Sequence, residues 1–445
     1  SLWGKDEVRH RLFASHLTAE RPTLIEGPYG TVEEWDPLPA GPDNHWFDCV
    51  VGCAVGASME GASLPGEESR AAFDHVMGGR ASQVQTAGLL VGLRTKGEVA
   101  SEVAGGVRAL REAMVPVEAE DPASLVDTCG TGGGSLTTFN ISTAAAILAA
   151  GMGIRIAKHG NRSFTSKCGS ADILEAMGVQ IELEPEAMAT VLAEAGIVFM
   201  FAPLLHPAMR HVAPVRRELG IPTIMNLLGP LTNPAGARRQ VVGVTDPALL
   251  DLVAHGLREL GHIRALVVYG EPGLDELSPL GTTHVAELDA GAVTRYVVQP
   301  EDLGWDGFGP DDLAGGDPAH NAGVVMEVFE GKRADGARAA VVLNAGAAVY
   351  VAGRVDSLEA GIELADTALH DGAALDALAP VLGLQARRPG IWARLRALHR
   401  ASPATVTAAA ARKPTAPWSL LRTMMFLKSL TSLSRPLARR VYRSC

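Results

Sequence analysis

Residues 127 to 143 read DTCGTGGGSLTTFNIST, and the stretch KHGNR follows at 158 to 162. An apolar run at 124–126 precedes the glycines and an Ala-rich run at 144–150 follows them, so the local order predicts strand, loop, helix. Gly130, Gly132, Gly133 and Gly134 accept conformations that aim successive backbone N–H groups into one concavity, and they leave no Cβ in an anion's way. The helix adds its unpaired N-terminal donors and the positive end of its dipole. Asn140, Ser142 and Thr143 supply further donors to phosphate oxygens, and a serine hydroxyl beside a phosphate is a common Mg²⁺ ligand. A chain with this loop has to place the end of a strand and the start of a helix around an anion.

Downstream, β-rich apolar runs at 154–157, 179–183, 197–201, 265–269 and 340–343 alternate with Ala-rich helical stretches. That alternation predicts crossover units, a mostly parallel sheet flanked by helices, and pocket loops at the carboxyl ends of the strands. Upstream the pattern is helical. Ala72, Phe73, Val76 and Met77 share a face, Ser82 caps a segment with Val84, Ala87, Leu90 and Leu93, and Val103, Val107 and Leu110 follow. Three short helices cannot bury their apolar faces alone and are expected to pack as a small domain. The division is therefore an unassigned extension (1–62), a small helical domain (63–118, joined by helices near 206–220), an α/β domain (119–379) and a basic extension (380–445).

Three further clusters carry chemistry. Lys158, His159, Asn161 and Arg162 follow the run at 154–157, two fixed cations and two adaptable donors at a strand end. Ser166, Lys167 and Ser170 stand at the next helix start, where hydroxyls and backbone donors suit phosphate oxygens. His206, Arg210, His211, Arg216 and Arg217 lie on a stretch expected to be helical, so that His206 and Arg216, ten residues apart, fall near one face. An arginine fork suits a carboxylate, while Arg210 and Arg217 read as surface charges. Asp275 and Glu276 are adjacent carboxylates in a loop flanked by Gly and Pro, able to reach hard cations from one short segment.

The glycine loop is neither a Walker A loop, which ends in Gly-Lys-Ser/Thr, nor a dinucleotide fingerprint opening directly into its helix. It lacks the acidic pair of type I phosphoribosyltransferases. With GTGGGSLTTFNIST (130–143), AKHGNRSFTSKCGSADILEAMG (157–178), HPAMRHVAPVRRELGIPTIMNLLGPLTNP (206–234) and YGEPGLDELSPLG (269–281), the chain resembles the anthranilate phosphoribosyltransferases, of the nucleoside phosphorylase/phosphoribosyltransferase fold. The motifs stand in the family's order across residues 64–378.

The resemblance implies Mg²⁺-dependent transfer of the phosphoribosyl group from phosphoribosyl pyrophosphate to the amine of anthranilate. It puts the substrates against Gly130 to Gly134, including Thr131, and against Thr138, Asn140, Ser142, Thr143, Gly160 and Ser170. Lys158 then belongs near the pyrophosphate, His159 and Asn161 face the amine, His206 lies along the entry path of the ring, and Arg216 meets the carboxylate. Asp275 and Glu276, helped by Ser142, would bind Mg²⁺. The catalytic set is Lys158, His159 and Arg216, in a cytoplasmic homodimer formed through the helical domain. Gly134 departs from the family's usual Asp, which predicts a looser loop and altered Mg²⁺ dependence.

Composition sets limits. With 47% hydrophobic residues in 445 the chain has material for a large core, and it has no uncharged apolar run long enough to span a bilayer. No secretory signal is expected. Five cysteines without framework spacing fit a reducing compartment, and Cys49, Cys53 and His45 make too small a set for zinc. The net charge of −11 hides an asymmetry: residues 380–445 hold 13 Lys/Arg and no acid, which leaves 26 basic against 50 acidic side chains before them. That tail is expected to be poorly ordered, and it keeps open a nucleic-acid-binding relative of the fold. The other alternative is a pyrimidine nucleoside phosphorylase.

Overall fold

The computed structural model describes residues 63–163 and 167–385, and the backbone of an antiparallel ribbon pairing Glu20–Gly27 with Gly30–Pro37. The ribbon falls in the stretch the sequence left unassigned. Cys49, Cys53, His45, Ser166 and the basic extension beyond 385 lie outside the described residues.

Three helices open the main body: α1 (Gly66–Met77), α2 (Gln83–Lys96) and α3 (Ala100–Ala113). Ser82 starts α2 with a reciprocal capping box, its Oγ accepting from Gln85 N–H while its own N–H donates to Gln85 Oε1. Phe73, Leu90, Leu93, Val103, Val107 and Leu110 point into one core. Val84, expected with them, is 79% exposed, because the inner face of α2 is carried by Leu89, Leu90 and Leu93.

The α/β part begins with β1 (Val126–Gly130), α4 (Ile141–Gly151), β2 (Ile156–Gly160), α5 (Ser170–Ala176), α6 (Pro185–Ala195) and β3 (Ile197–Phe201). It continues through α7 (Ala213–Leu219), β4 (Arg239–Gly243), α8 (Leu249–Glu259), β5 (Arg264–Gly270), β6 (Thr283–Asp289) and β7 (Ala292–Val298). It closes with α9 (Pro318–Phe329), α10 (Gly336–Val351), α11 (Leu358–His370) and α12 (Ala373–Gln385). The sheet order is β3-β2-β1-β4-β5-β6-β7, parallel from β3 to β5 and antiparallel at its last two pairings. The strand order reverses beside β1, where open parallel sheets bind ligands at their carboxyl ends. The helical part is not separate from this sheet. Val212 and Val215 near α7, Val253 and Leu257 of α8, and Val267 of β5 share a core with α1 to α3.

Several expected elements move. Two strands start two residues later than read, so Gly130 ends β1, and Lys158 and His159 lie within β2 rather than after it. The run at 179–183 forms no strand: Val179 and Ile181 are buried as if in one, but β3 already occupies the place beside β2. Residues 340–343 belong to α10, a mostly apolar helix buried except at Arg338 and Tyr350, started by Asp335 accepting from Ala337 N–H. Strands β4, β6 and β7 escape the sequence reading, β7 because its side chains mostly face solvent. Helix α12 carries the α/β part through Pro380 to Gln385, past the boundary at 379. Among the described residues no helix is long and apolar enough to cross a membrane.

Glu102 ties the helices together. Its carboxylate accepts from Leu64 N–H (2.8 Å), Val99 N–H (3.1 Å) and Lys96 Nζ (2.9 Å), with both side chains of the ion pair almost wholly buried. Glu102→Ala leaves Lys96 buried without its counter-charge and is expected to cost roughly 3–5 kcal/mol. Chemical denaturation checks this, and a loss below about 1 kcal/mol, the scale of an exposed pair, would show the pair is solvated.

Candidate active site

At the carboxyl ends of β1, β2 and β5 a cleft of about 750 Å³ opens, within the range of small-molecule sites. Its lining includes Gly130, Thr131, Gly132, Gly133, Gly134, Thr138, Asn140, Ser142, Thr143, Lys158, His159, Gly160, Asn161, Ser170, Arg216, Asp275 and Glu276. His206 is not among the lining residues. It stands behind His159, with Nε2 to Nε2 at 3.1 Å.

The glycine loop leaves β1 with Gly132 and Gly133 at φ of +70° and +85°, a conformation that suits glycine and turns N–H groups inward. It is fastened to the acidic loop opposite. Gly132 N–H donates to Asp275 Oδ2 (2.9 Å), Ser135 N–H to Gly273 O (3.1 Å), and Ser135 Oγ to Pro272 O (2.8 Å). These straps hold the loop on either side of Gly134. A Cβ at Gly134 would lie 2.8 Å from Gly273 O, so an Asp here requires that backbone to shift.

Lys158 is buried, and its ammonium donates to Thr128 O and Oγ1 and to Ser142 Oγ (3.3 Å). Burial lowers its pKa, opposed first by Asp127. Asn140 is less available to a ligand than its motif suggests: its amide donates to Cys168 O (3.2 Å) and its carbonyl accepts from Asn321 (2.9 Å). The Thr131 and Thr143 hydroxyls are buried with no partner. Arg162 lies on the rim held by Asp172 (2.9 Å) and Glu175 (2.6 Å), and so braces the loop.

Asp275 and Glu276 stand side by side, and Glu276 Oε2 is buried without a partner. Burial, then the Asp275 charge, raises the Glu276 pKa well above the carboxylate range. Two adjacent carboxyl groups with an orphaned oxygen, near the Ser142 hydroxyl, fit a divalent cation. Among the described residues no group of three His, Cys, Asp or Glu side chains could hold a metal ion.

The far wall comes from the helical side. Arg216 of α7 is partly buried, which lowers its pKa, and it makes no ion pair among the described residues. Pro207 and Pro214 break the expected single helix into a 3₁₀ turn (Pro207–His211) and α7, so His206 and Arg216 do not share a helical face. Arg210 and Arg217 are exposed. The sequence reading missed Arg94 and Glu98, near the end of α2, as well as Thr223 and Asn226, all of which line the cleft. Only the packing of α2 against α7 brings α2 here, and its sequence carries no sign of a site.

A helical bundle sharing its core with a mostly parallel sheet, with phosphate-type loops at the strand ends, defines a two-domain glycosyltransferase. Residues 122–375 match the Glycosyl transferase family, a/b domain, and residues 56–114 the family's helical bundle domain. The chain belongs to the anthranilate phosphoribosyltransferase family of enzymes. It is 49% identical over 337 residues to the anthranilate phosphoribosyltransferase of Rubrobacter xylanophilus, covering 76% of this chain and 98% of that one. The crystal structure of the Thermus thermophilus enzyme is 44% identical, with a TM-score of 0.70 over 74% of this chain and 98% of its own. The Saccharomyces cerevisiae enzyme, in complex with phosphoribosyl pyrophosphate and Mg, is 25% identical, with a TM-score of 0.68 over 76% of this chain and 98% of its own. These relatives support neither the nucleoside phosphorylase nor the nucleic-acid-binding alternative.

Burial, then the neighbouring imidazole, pushes His159 down to about 3, and burial pushes His206 down to about 4. Both are neutral in the folded protein near pH 7, whereas unfolded imidazoles take up protons near 6.5. Between those values the unfolded chain binds more protons, so stability is intact above about pH 6.5 and falls as pH drops toward 4. His206→Asn is expected to make that fall shallower, read as thermal midpoints at pH 7 and pH 4.5. An unchanged slope would put His206 in water.

Proposed function

We propose that this cleft transfers the phosphoribosyl group of phosphoribosyl pyrophosphate to the amine of anthranilate, releasing N-(5-phosphoribosyl)anthranilate and pyrophosphate, the second step of tryptophan biosynthesis. The observation that carries the reading is the meeting of an N–H-rich loop, a paired carboxylate and an unpartnered arginine across one cleft.

The donor lies on the sheet side. Gly132 and Gly133 present backbone donors to the pyrophosphate, and the Thr131 and Thr143 hydroxyls, without protein partners, are available to its oxygens. Lys158 holds Ser142 and contributes positive charge beneath the loop. Asp275, Glu276 and Ser142 would hold Mg²⁺, which would supply charge neutralisation to the leaving pyrophosphate.

The acceptor lies on the helical side. Arg216 forks onto the carboxylate, Asn161 and His159 align the amine with C1 of the ribose, and His206 fixes the His159 ring from behind. An aryl amine is already a free nucleophile, so alignment and electrostatic stabilisation outweigh any need for a strong base.

Loss of a charged hydrogen bond to the carboxylate is worth roughly one to two orders of magnitude. In a fluorescence assay of anthranilate consumption, Arg216→Ala is expected to raise KM for anthranilate by about that much while KM for phosphoribosyl pyrophosphate changes little. Equal effects on both substrates would remove Arg216 from this role. No turnover by folded wild-type protein would remove the whole reading.

The same reading includes a homodimer through the helical domain. Val84 and Val91, 79% and 38% exposed, lie seven residues apart on one face of α2, with Ile221 also exposed just beyond α7. An apolar stripe of this kind is buried when a second copy packs on it. Val84→Glu combined with Val91→Glu is expected to give a monomer by light scattering, and a dimer persisting in that variant would place the interface elsewhere.

A further inference from the structure

The glycine loop already holds an anion, and the protein supplies it. Asp275 Oδ2 accepts the Gly132 N–H at 2.9 Å, the donor that the left-handed turn presents to the cleft. The approach is close enough that a Cβ at Gly130 would sit 2.1 Å from this oxygen, so glycine at 130 is a condition of the contact. A Cβ at Gly134 would lie 3.8 Å from Oδ1, so the other carboxylate oxygen faces the same turn. Glu276 stands beside it, and Asp275 makes no salt bridge among the described residues. Lys158, the nearby buried cation, donates to Thr128 and Ser142 instead.

A diphosphate arriving without a metal therefore meets a donor already taken and the Asp275 carboxylate where its own charge would sit. Like charges at contact distance repel. The same oxygens attract a cation, and a diphosphate that brings a divalent ion reverses the sign of the encounter.

We propose that Asp275 determines which form of the ligand the loop accepts: it bars metal-free diphosphate by occupying the Gly132 donor and admits the divalent-metal complex. The proposal rests on the reading of the glycine loop as the pyrophosphate site, and it adds to metal holding a second task for Asp275, selection against the uncomplexed anion.

The test is calorimetric titration of the full chain with inorganic pyrophosphate, in EDTA and in excess Mg²⁺, for wild type, Asp275→Asn, Asp275→Ala and Glu276→Gln. Wild type is expected to bind in Mg²⁺ and at least about tenfold more weakly in EDTA, the scale of one charged hydrogen bond. Asp275→Ala, which frees the Gly132 donor, is expected to bind metal-free pyrophosphate at least about tenfold more tightly than wild type does, and Asp275→Asn, whose amide oxygen can still accept that N–H, is expected to gain less. Amide exchange at Gly132 should be faster in Asp275→Ala than in wild type. Glu276→Gln removes a carboxyl group that does not touch Gly132 and should gain less.

An Asp275→Ala variant no tighter than wild type in EDTA would overturn the proposal, and so would an equal gain in Glu276→Gln, which would show that the occupied Gly132 donor is not what excludes the anion. Equal wild-type binding with and without Mg²⁺ overturns it with no variant needed. Absence of binding in Mg²⁺ removes the pyrophosphate reading itself and the proposal with it.

Discussion

The carboxylate of Asp127 on β1 has no solvent-exposed surface and joins three strands. It accepts His159 N–H from β2 (3.2 Å), Asn233 Nδ2 from the turn before β4 (2.8 Å) and Gln240 Nε2 on β4 (3.5 Å). Asn233 extends the network by donating to Ala157 O (2.8 Å) and accepting from Ala235 N–H (3.0 Å). Burial pushes the Asp127 pKa up to about 6, opposed by Lys158 and by these donors. Hydrogen bonds to a charged group are individually worth about 1.5–3 kcal/mol, and a buried carboxylate stripped of them would be costly. The glycine loop starts three residues after Asp127, and Lys158 and His159 lie on the strand it grips, so the sheet side of the cleft inherits its geometry from this network.

The helical side has a different origin. Arg94, Glu98 and Arg216 come from helices α2 and α7, or just beyond, whose apolar residues share a core with α8 and β5. A continuous core means that the two walls of the cleft are packed against one another and do not meet merely through a linker. Side chains from sheet and helices thus face each other across a space whose width is set by apolar packing, and the polar groups are free to specify what enters it.

Tight backbone approach links the loops. At Gly243, the end of β4, a Cβ would fall on the Asp275 carbonyl, and at Gly130 on its carboxylate. The acidic loop is pressed between two strand ends, and only glycine permits that. The glycine loop is anchored from across the cleft, through Asp275 and the Gly273 carbonyl.

The sequence by itself determined the strand–glycine turn–helix unit, the alternating α/β order, the capping of α2 by Ser82, and the identities of the phosphate-type loops. These are local patterns, written in residues whose backbone preference or side-chain periodicity does not depend on distant partners. It did not determine that residues 340–343 are helical, because four apolar residues read alike in a buried strand and a buried helix until their neighbours are known. Nor did it place Arg94 and Glu98 in the cleft, separate His206 from the cleft wall, or reveal Asp127 as the anchor of three strands. Those facts depend on which elements pack together, and on burial, which turns an ordinary carboxylate into a group that has to be satisfied by partners far away in the chain.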